Sequence, residues 1–131
     1  MPSTSIEIRR ENSADEEVAI IDAVQASLIA AFRIPPEDRH VRLHVNLPHR
    51  MATSPTLEQP DRYTLVTVDC FEGRSVDAKR ALYTEIVTRF EALGIPKDHV
   101  TIIVRDLPAR NWGIRGGHAA SDIDLGFQVD V

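Results

Sequence analysis

Three places in this chain hold residue types that can do chemistry. The first is Met1-Pro2. Removal of Met1 would leave Pro2 with a secondary amine, which can serve as a base. An ordinary α-amino group titrates near ~8, so burial beside another cation would bring such an amine close to neutrality, where proton transfer is efficient. The second is Arg74, one residue ahead of Ser75 and a helical pattern. From there a guanidinium can grip a carboxylate with two prongs while the helix amides add positive potential. A surface pairing with Glu72 or Asp69 is the plainer alternative. The third is Asn111-Trp112-Gly113-Ile114-Arg115-Gly116-Gly117. Trp112 could stack on a ligand or plug a subunit contact, and Arg115 could reach a neighbouring pocket or form a structural salt bridge. These glycines are not a nucleotide loop, because no strand and helix with Lys-Ser or Lys-Thr accompany them.

Two acidic residues, Glu37 and Asp38, follow the first helical pattern, where they act either as solubilising charges or as water-activating bases. His40, His44 and His49 lie close together but lack ligand spacing and are read as polar surface, so no metal is expected. Cys70 is the sole cysteine and is read as a buried strand residue. That excludes an internal disulfide and a multi-cysteine metal site, and fits a reducing compartment.

The elements that must position these groups follow from periodicity. Ile6 and Ile8 alternate with Ser5, Glu7 and Arg9, a short strand with Pro2 at its head. Ser13-Ala14-Asp15-Glu16 is a capping box for a helix whose apolar stripe is Val18, Ile21, Val24, Leu28 and Phe32, stopped by Ile34-Pro35-Pro36. Val41, Leu43, Val45 and Leu47 mark a second strand with one buried face. Residues 49–62 read as a loop, Tyr63 to Cys70 as a central strand. Ser75 caps a second helix with the stripe Ala78, Leu82, Ile86, Phe90 and Leu93, closed by Gly94, and Val100 to Val104 forms a fourth strand. A last apolar segment runs from Phe127 to Val131.

The halves repeat. Ile34-Pro35-Pro36-Glu37-Asp38 precedes the second strand as Ile95-Pro96-Lys97-Asp98 precedes the fourth, and both strands run out at Leu-Pro. The expected fold is α/β (α+β): tandem βαβ units, residues 1–48 and 63–108, making a four-stranded sheet with two helices on one face. Residues 109–131 form a C-terminal segment of the same single domain. The other sheet face needs a cover, and subunit association would supply it.

In the order and spacing of these motifs the chain resembles the tautomerase superfamily, with 4-oxalocrotonate tautomerase and malonate semialdehyde decarboxylase, and in particular its long fused members. The likeness rests on Pro2 ahead of the first strand, Ile34 to Arg39, Gly73-Arg74-Ser75 with Lys79 and Tyr83, and Asn111 to Gly117. It implies a cofactor-independent enzyme acting on a 2-oxo acid or related unsaturated carboxylate, assembled as a homotrimer. Carried over, Pro2 is the catalytic base or acid, Arg74 binds the substrate carboxylate, Glu37 or Asp38 is the acidic partner, and Trp112 lines the pocket. Glu72 stands where likeness to the decarboxylase members would put a second arginine. Decarboxylation, hydrolytic dehalogenation and a non-catalytic ligand-binding or structural trimer are the alternatives. The order βαββαβ also suits an RNA-binding ferredoxin-like module. A net charge of −5 and a second strand without aromatic residues argue against nucleic acid. No apolar run approaches the ~20 residues of a membrane span, so a soluble, cytoplasmic protein is expected.

Overall fold

The computed structural model describes residues 1–131. Its order is β1 (Pro2–Ile8), α1 (Ala14–Phe32), β2 (Val41–Val45), β3 (Thr64–Phe71), α2 (Val76–Ala92), β4 (Val100–Leu107) and a small hairpin, β5 (Gly113–Ile114) with β6 (His118–Ala119). The main sheet runs β2-β1-β3-β4. Within each βαβ unit the strands are parallel, β1 with β2 and β3 with β4. The two units meet along an antiparallel β1–β3 seam that pairs Pro2 with Cys70 and Ile8 with Thr64.

Each helix starts where its cap hydroxyl accepts an orphan amide: Ser13 from Glu16, Ser75 from Ala78. Helix α2 closes with Gly94 at φ 87°, the left-handed position that favours glycine, and the Ile95 amide bonds back to Phe90. Helix α1 closes in the left-handed region at Arg33, φ 55°, a conformation that Arg-Ile-Pro does not announce.

Both helices cover one sheet face. There Ile6, Ile8, Val66, Val68 and Cys70 meet Val24, Leu28, Leu82, Ile86 and Phe90 in one continuous core. The α2 stripe Ala78, Leu82, Ile86 and Phe90 is buried as read, but Leu93 is exposed because the helix has ended by then. The α1 stripe needs correction. Its buried line is Ile20, Val24, Leu28 and Phe32, a four-residue ladder, while Val18 is 52% exposed. Six residues before Val24, at about 100° per residue, Val18 is turned off the core-facing side. On edge strand β2, Val41 and Leu43 are only half-buried, and Val45 and Leu47 are exposed. The other sheet face has no helix over it. Ser3, Ser5, Glu7, Thr67, Asp69 and Arg105 lie along it, with a two-pronged Arg105–Asp69 pair at 2.6 and 2.9 Å. No helix is long and apolar enough to cross a membrane.

Candidate active site

The alternation that sends Ile6 and Ile8 into the core also sends Pro2 inward, so Pro2 is buried at the head of β1. Its register partner Cys70 faces the same way at the far end of β3, and Asp106 is next in the row on β4. Three strands thus bring a proline, a thiol and a carboxylate to one end of the sheet.

Phe71 ends β3, and Gly73, at φ 129°, makes the reversal into the α2 cap that an L side chain resists. Arg74 follows and is only 5% exposed. Its guanidinium lies 4.7 Å over the ring of Phe32, the last residue of α1, and Nη1 donates to the Phe71 carbonyl at 3.2 Å. Nε and Nη2 are buried with no acceptor. The cation pairs with neither Glu72 nor Asp69; Asp69 belongs to Arg105 on the opposite sheet face. Leaving a buried guanidinium N–H unpaired costs about 1–3 kcal/mol, so this site favours whatever supplies an acceptor.

Around Arg74 is a polar cluster. Lys79, in the first turns of α2, meets Asp106 at 2.5 Å, and the Cys70 Sγ lies 3.6 Å from the other Asp106 oxygen. Burial pushes the Cys70 thiol up to about 11, with Asp106 adding and Arg74 opposing, so the thiol stays protonated at neutral pH. Burial holds Arg74 below the usual arginine range. The Asp106 hydrogen bond raises Lys79.

The two acidic candidates separate. Asp38 Oδ2 receives the Met1 amine at 2.8 Å, whereas Glu37 is exposed and makes no side-chain bond. Asp38 is steadied by Gln25, buried on α1, whose Nε2 donates to the Asp38 carbonyl at 3.0 Å. Trp112 is half-buried, edge-on to Phe71 with centroids 5.0 Å apart, and its indole N–H is buried without an acceptor. Arg115 is engaged inside its own chain, donating to the Asp124 and Leu125 carbonyls at 2.9 and 3.3 Å.

Pro2, Asp38, Arg74 and Trp112 therefore hang from elements that converge on one end of the sheet, through the antiparallel seam and through Phe32 and Phe71. Yet none of the chain's cavities is lined by Pro2, Arg74 or Trp112. The pocket that the resemblance implies beside Trp112 is closed in this conformation. Residue reading also passed over Gln25 and Asp106. Both left a signal: Gln25 adjoins the buried Val24, and Asp106 has the inward parity of Ile102 and Val104, so each is a polar group aimed at the core side.

A family model for tautomerase enzymes matches residues 38–115. A probable tautomerase of Ralstonia nicotianae is 38% identical over 53 residues, 40% of this chain and 76% of the relative. The 2-hydroxymuconate tautomerase of Comamonas testosteroni is 47% identical over 47 residues, 34% of this chain and 73% of that protein. Among solved structures, FG41 malonate semialdehyde decarboxylase superposes with a TM-score of 0.81 at 20% identity, covering 94% of this chain and 98% of its own. A native fused 4-OT superposes with a TM-score of 0.83 at 17% identity, over 95% and 99%. At those identities the superpositions carry the fold alone, which is the two-helix, four-strand arrangement described above. With the family match spanning more than half of the chain, the protein belongs to the tautomerase enzyme family.

Proposed function

We propose that this chain is a cofactor-independent tautomerase that moves a proton within a 2-oxo acid or a related unsaturated carboxylate. The observation that carries the reading is the β1–β3 register. It sets Pro2 beside Cys70, a few residues from a buried Arg74 with two N–H groups lacking an acceptor. With Met1 removed, the Pro2 nitrogen becomes a secondary amine. Burial and the guanidinium at the same end of the sheet disfavour its cationic form and lower its pKa, against the Asp38 carboxylate at the chain head, which favours that form. Pro2 takes a proton from carbon next to the carbonyl and returns it to another carbon or to the enol oxygen, so atoms and charge balance within one substrate. Arg74 holds the carboxylate, and the Trp112 and Phe71 rings wall the site against water.

A homotrimer fits this reading. The helix-free sheet face needs a cover, and fused 4-OT structures with this fold are described as trimers. A second reading, decarboxylation or hydrolytic dehalogenation, is favoured by Asp38, a carboxylate at the chain head where it can hold a water. Malonate semialdehyde decarboxylase and a member of the cis-3-chloroacrylic acid dehalogenase family share the fold.

Intact mass shows whether Met1 is removed, and the trimmed protein is then assayed for ketonisation of phenylenolpyruvate and 2-hydroxymuconate by ultraviolet absorbance. The expected result is turnover that Pro2→Ala reduces at least ~100-fold with oligomeric state unchanged, the range of a lost general base. Undiminished turnover in Pro2→Ala, or a retained Met1 in an active protein, overturns the proposal. Activity confined to halogenated acrylates or to malonate semialdehyde selects the Asp38 reading.

A further inference from the structure

We infer that residues 124–131 form a strap that seals Arg74 from solvent and must lift before a carboxylate reaches it. The inference rests on the reading of Arg74 as the carboxylate's partner and adds how that partner is reached. The strap is tied at both ends. At one end the two arms of Arg115 hold the Asp124 and Leu125 carbonyls, and the Gly126 amide closes a turn on Asp124 Oδ1 at 2.9 Å. Arg115 sits in the left-handed region, φ 50°, at the turn of the β5–β6 hairpin, a costly conformation for arginine that is maintained where it is used. At the other end Ser75 Oγ donates to the main-chain oxygen of Val131 at 2.9 Å while still capping α2.

Between the ties the strap passes over the turn that presents Arg74. The main-chain carbon of Val129 lies 3.7 Å from where a Cβ on Gly73 would sit, an ordinary contact distance, so the strap packs directly on the turn. Arg74, the residue between Gly73 and Ser75 that the strap spans, is almost fully buried, yet Nε and Nη2 have no acceptor, and no cavity opens onto them.

Two features make the strap releasable. Its ties are single hydrogen bonds to main-chain oxygens, which water replaces readily. Its apolar contact is slight: Phe127, Val129 and Val131 are only half-buried, alternating with exposed Gln128 and Asp130. Segments with few buried contacts open at far lower cost than core strands. Opening also has a reward below, because water or a carboxylate then supplies the acceptors that the closed state denies the guanidinium. A carboxylate therefore binds the open state preferentially and shifts the population toward it.

The test uses an arginine-specific dicarbonyl on the full chain, with modification of Arg74 followed by peptide mass. Arg80, exposed on α2, is the internal reference and should react at one rate throughout. In the parent chain Arg74 should react slowly. Arg115→Ala and Arg115→Lys, both lacking the two-pronged tie, should speed it roughly tenfold, the population shift that loss of ordinary hydrogen bonds allows. The double change Phe127→Ser and Val129→Ser, which spares the hairpin, should do the same, so misfolding in one variant does not decide the outcome. Equal Arg74 rates in the parent and in every folded variant overturn the strap. The readout needs no turnover. Adding phenylpyruvate to a released variant then separates the two ideas: protection of Arg74 supports both, and acceleration without protection keeps the strap but removes the carboxylate role.

Discussion

The two βαβ halves share a scaffold and differ in what they present. Ser13 and Ser75 cap their helices in the same way, Arg33 and Gly94 close them in the left-handed region, and matched apolar ladders fill the core. Counting back from the two caps, the residue in step with Pro2 is Thr64, and the residue in step with Arg74 is Asn12. Because β1 and β3 are antiparallel, Pro2 falls beside Cys70 and so near Arg74, while Thr64 falls beside Ile8 and so near Asn12. One end of the sheet receives both proposed groups, and the opposite end receives neither.

The loops before β2 and β4 diverge likewise. In the first, Asp38 meets the charged Met1 amine. In the second, His99, only 2% exposed, accepts the Gln59 amide on Nε2 at 3.0 Å and contacts Asp98 through Nδ1 at 2.7 Å. With an amide donating to Nε2, the ring proton sits on Nδ1 and points at Asp98, so this histidine is a satisfied structural group. A duplicated fold offers two equivalent ends, and single residues contributed by different halves suffice to equip one of them. Neither half holds the proposed site alone.

The sharpest way to break that contrast is mutation of in-step pairs. Arg74→Ala should lower kcat/KM for a carboxylate substrate by roughly 100-fold or more, as loss of a buried charged contact does. Asn12→Ala at the other end should leave it unchanged. Similar losses from both would mean that the ends are not functionally distinct. Next in size, Val24→Ala and Ile86→Ala test the shared scaffold, each expected to cost about 1 to 4 kcal/mol in denaturant unfolding. A near-neutral result in one half would show that the cores are not equivalent.

Cys70 gives a pH signature found only at the equipped end. Its folded thiol is raised from 9.0 to about 11, so folding contributes stability that is complete below about 9 and lost as pH rises toward 11. The denaturant midpoint should fall over that window by the equivalent of about 2 kcal/mol, and Cys70→Val should remove that part of the slope. The smallest effect is expected from His99→Leu. Losing the acceptor for the Gln59 amide should cost about 1 to 2 kcal/mol and speed amide exchange in residues 49–62 while sparing activity.

Much of the fold was legible because periodicity and caps are local. The alternation at Ile6 and Ile8, the hydroxyls of Ser13 and Ser75, and the Ile-Pro exits each act within a few residues. The α1 stripe was misread at Val18 because several apolar lines can be drawn along a helix rich in small residues, and only packing against the sheet selects one. The site was legible in its parts and not in its arrangement. Glu37 and Asp38 look alike in sequence, and it takes Gln25, from a different turn of the chain, to steady Asp38 beside the chain head. Arg115 was read as either reaching a neighbouring pocket or forming a structural salt bridge, and within the chain its guanidinium donates to the Asp124 and Leu125 carbonyls.

By itself the sequence determined the elements, their order, the duplication and the residue types available for chemistry, since all of these follow from local sterics, spacing and side-chain character. Tertiary structure alone decided which end of the sheet those residues share, that the Arg74 guanidinium lies over the Phe32 ring with two N–H groups unpaired, and that no cavity opens onto it. The reason is that strand register, burial and hydrogen-bond satisfaction are set by partners distant in the chain, which no local pattern specifies.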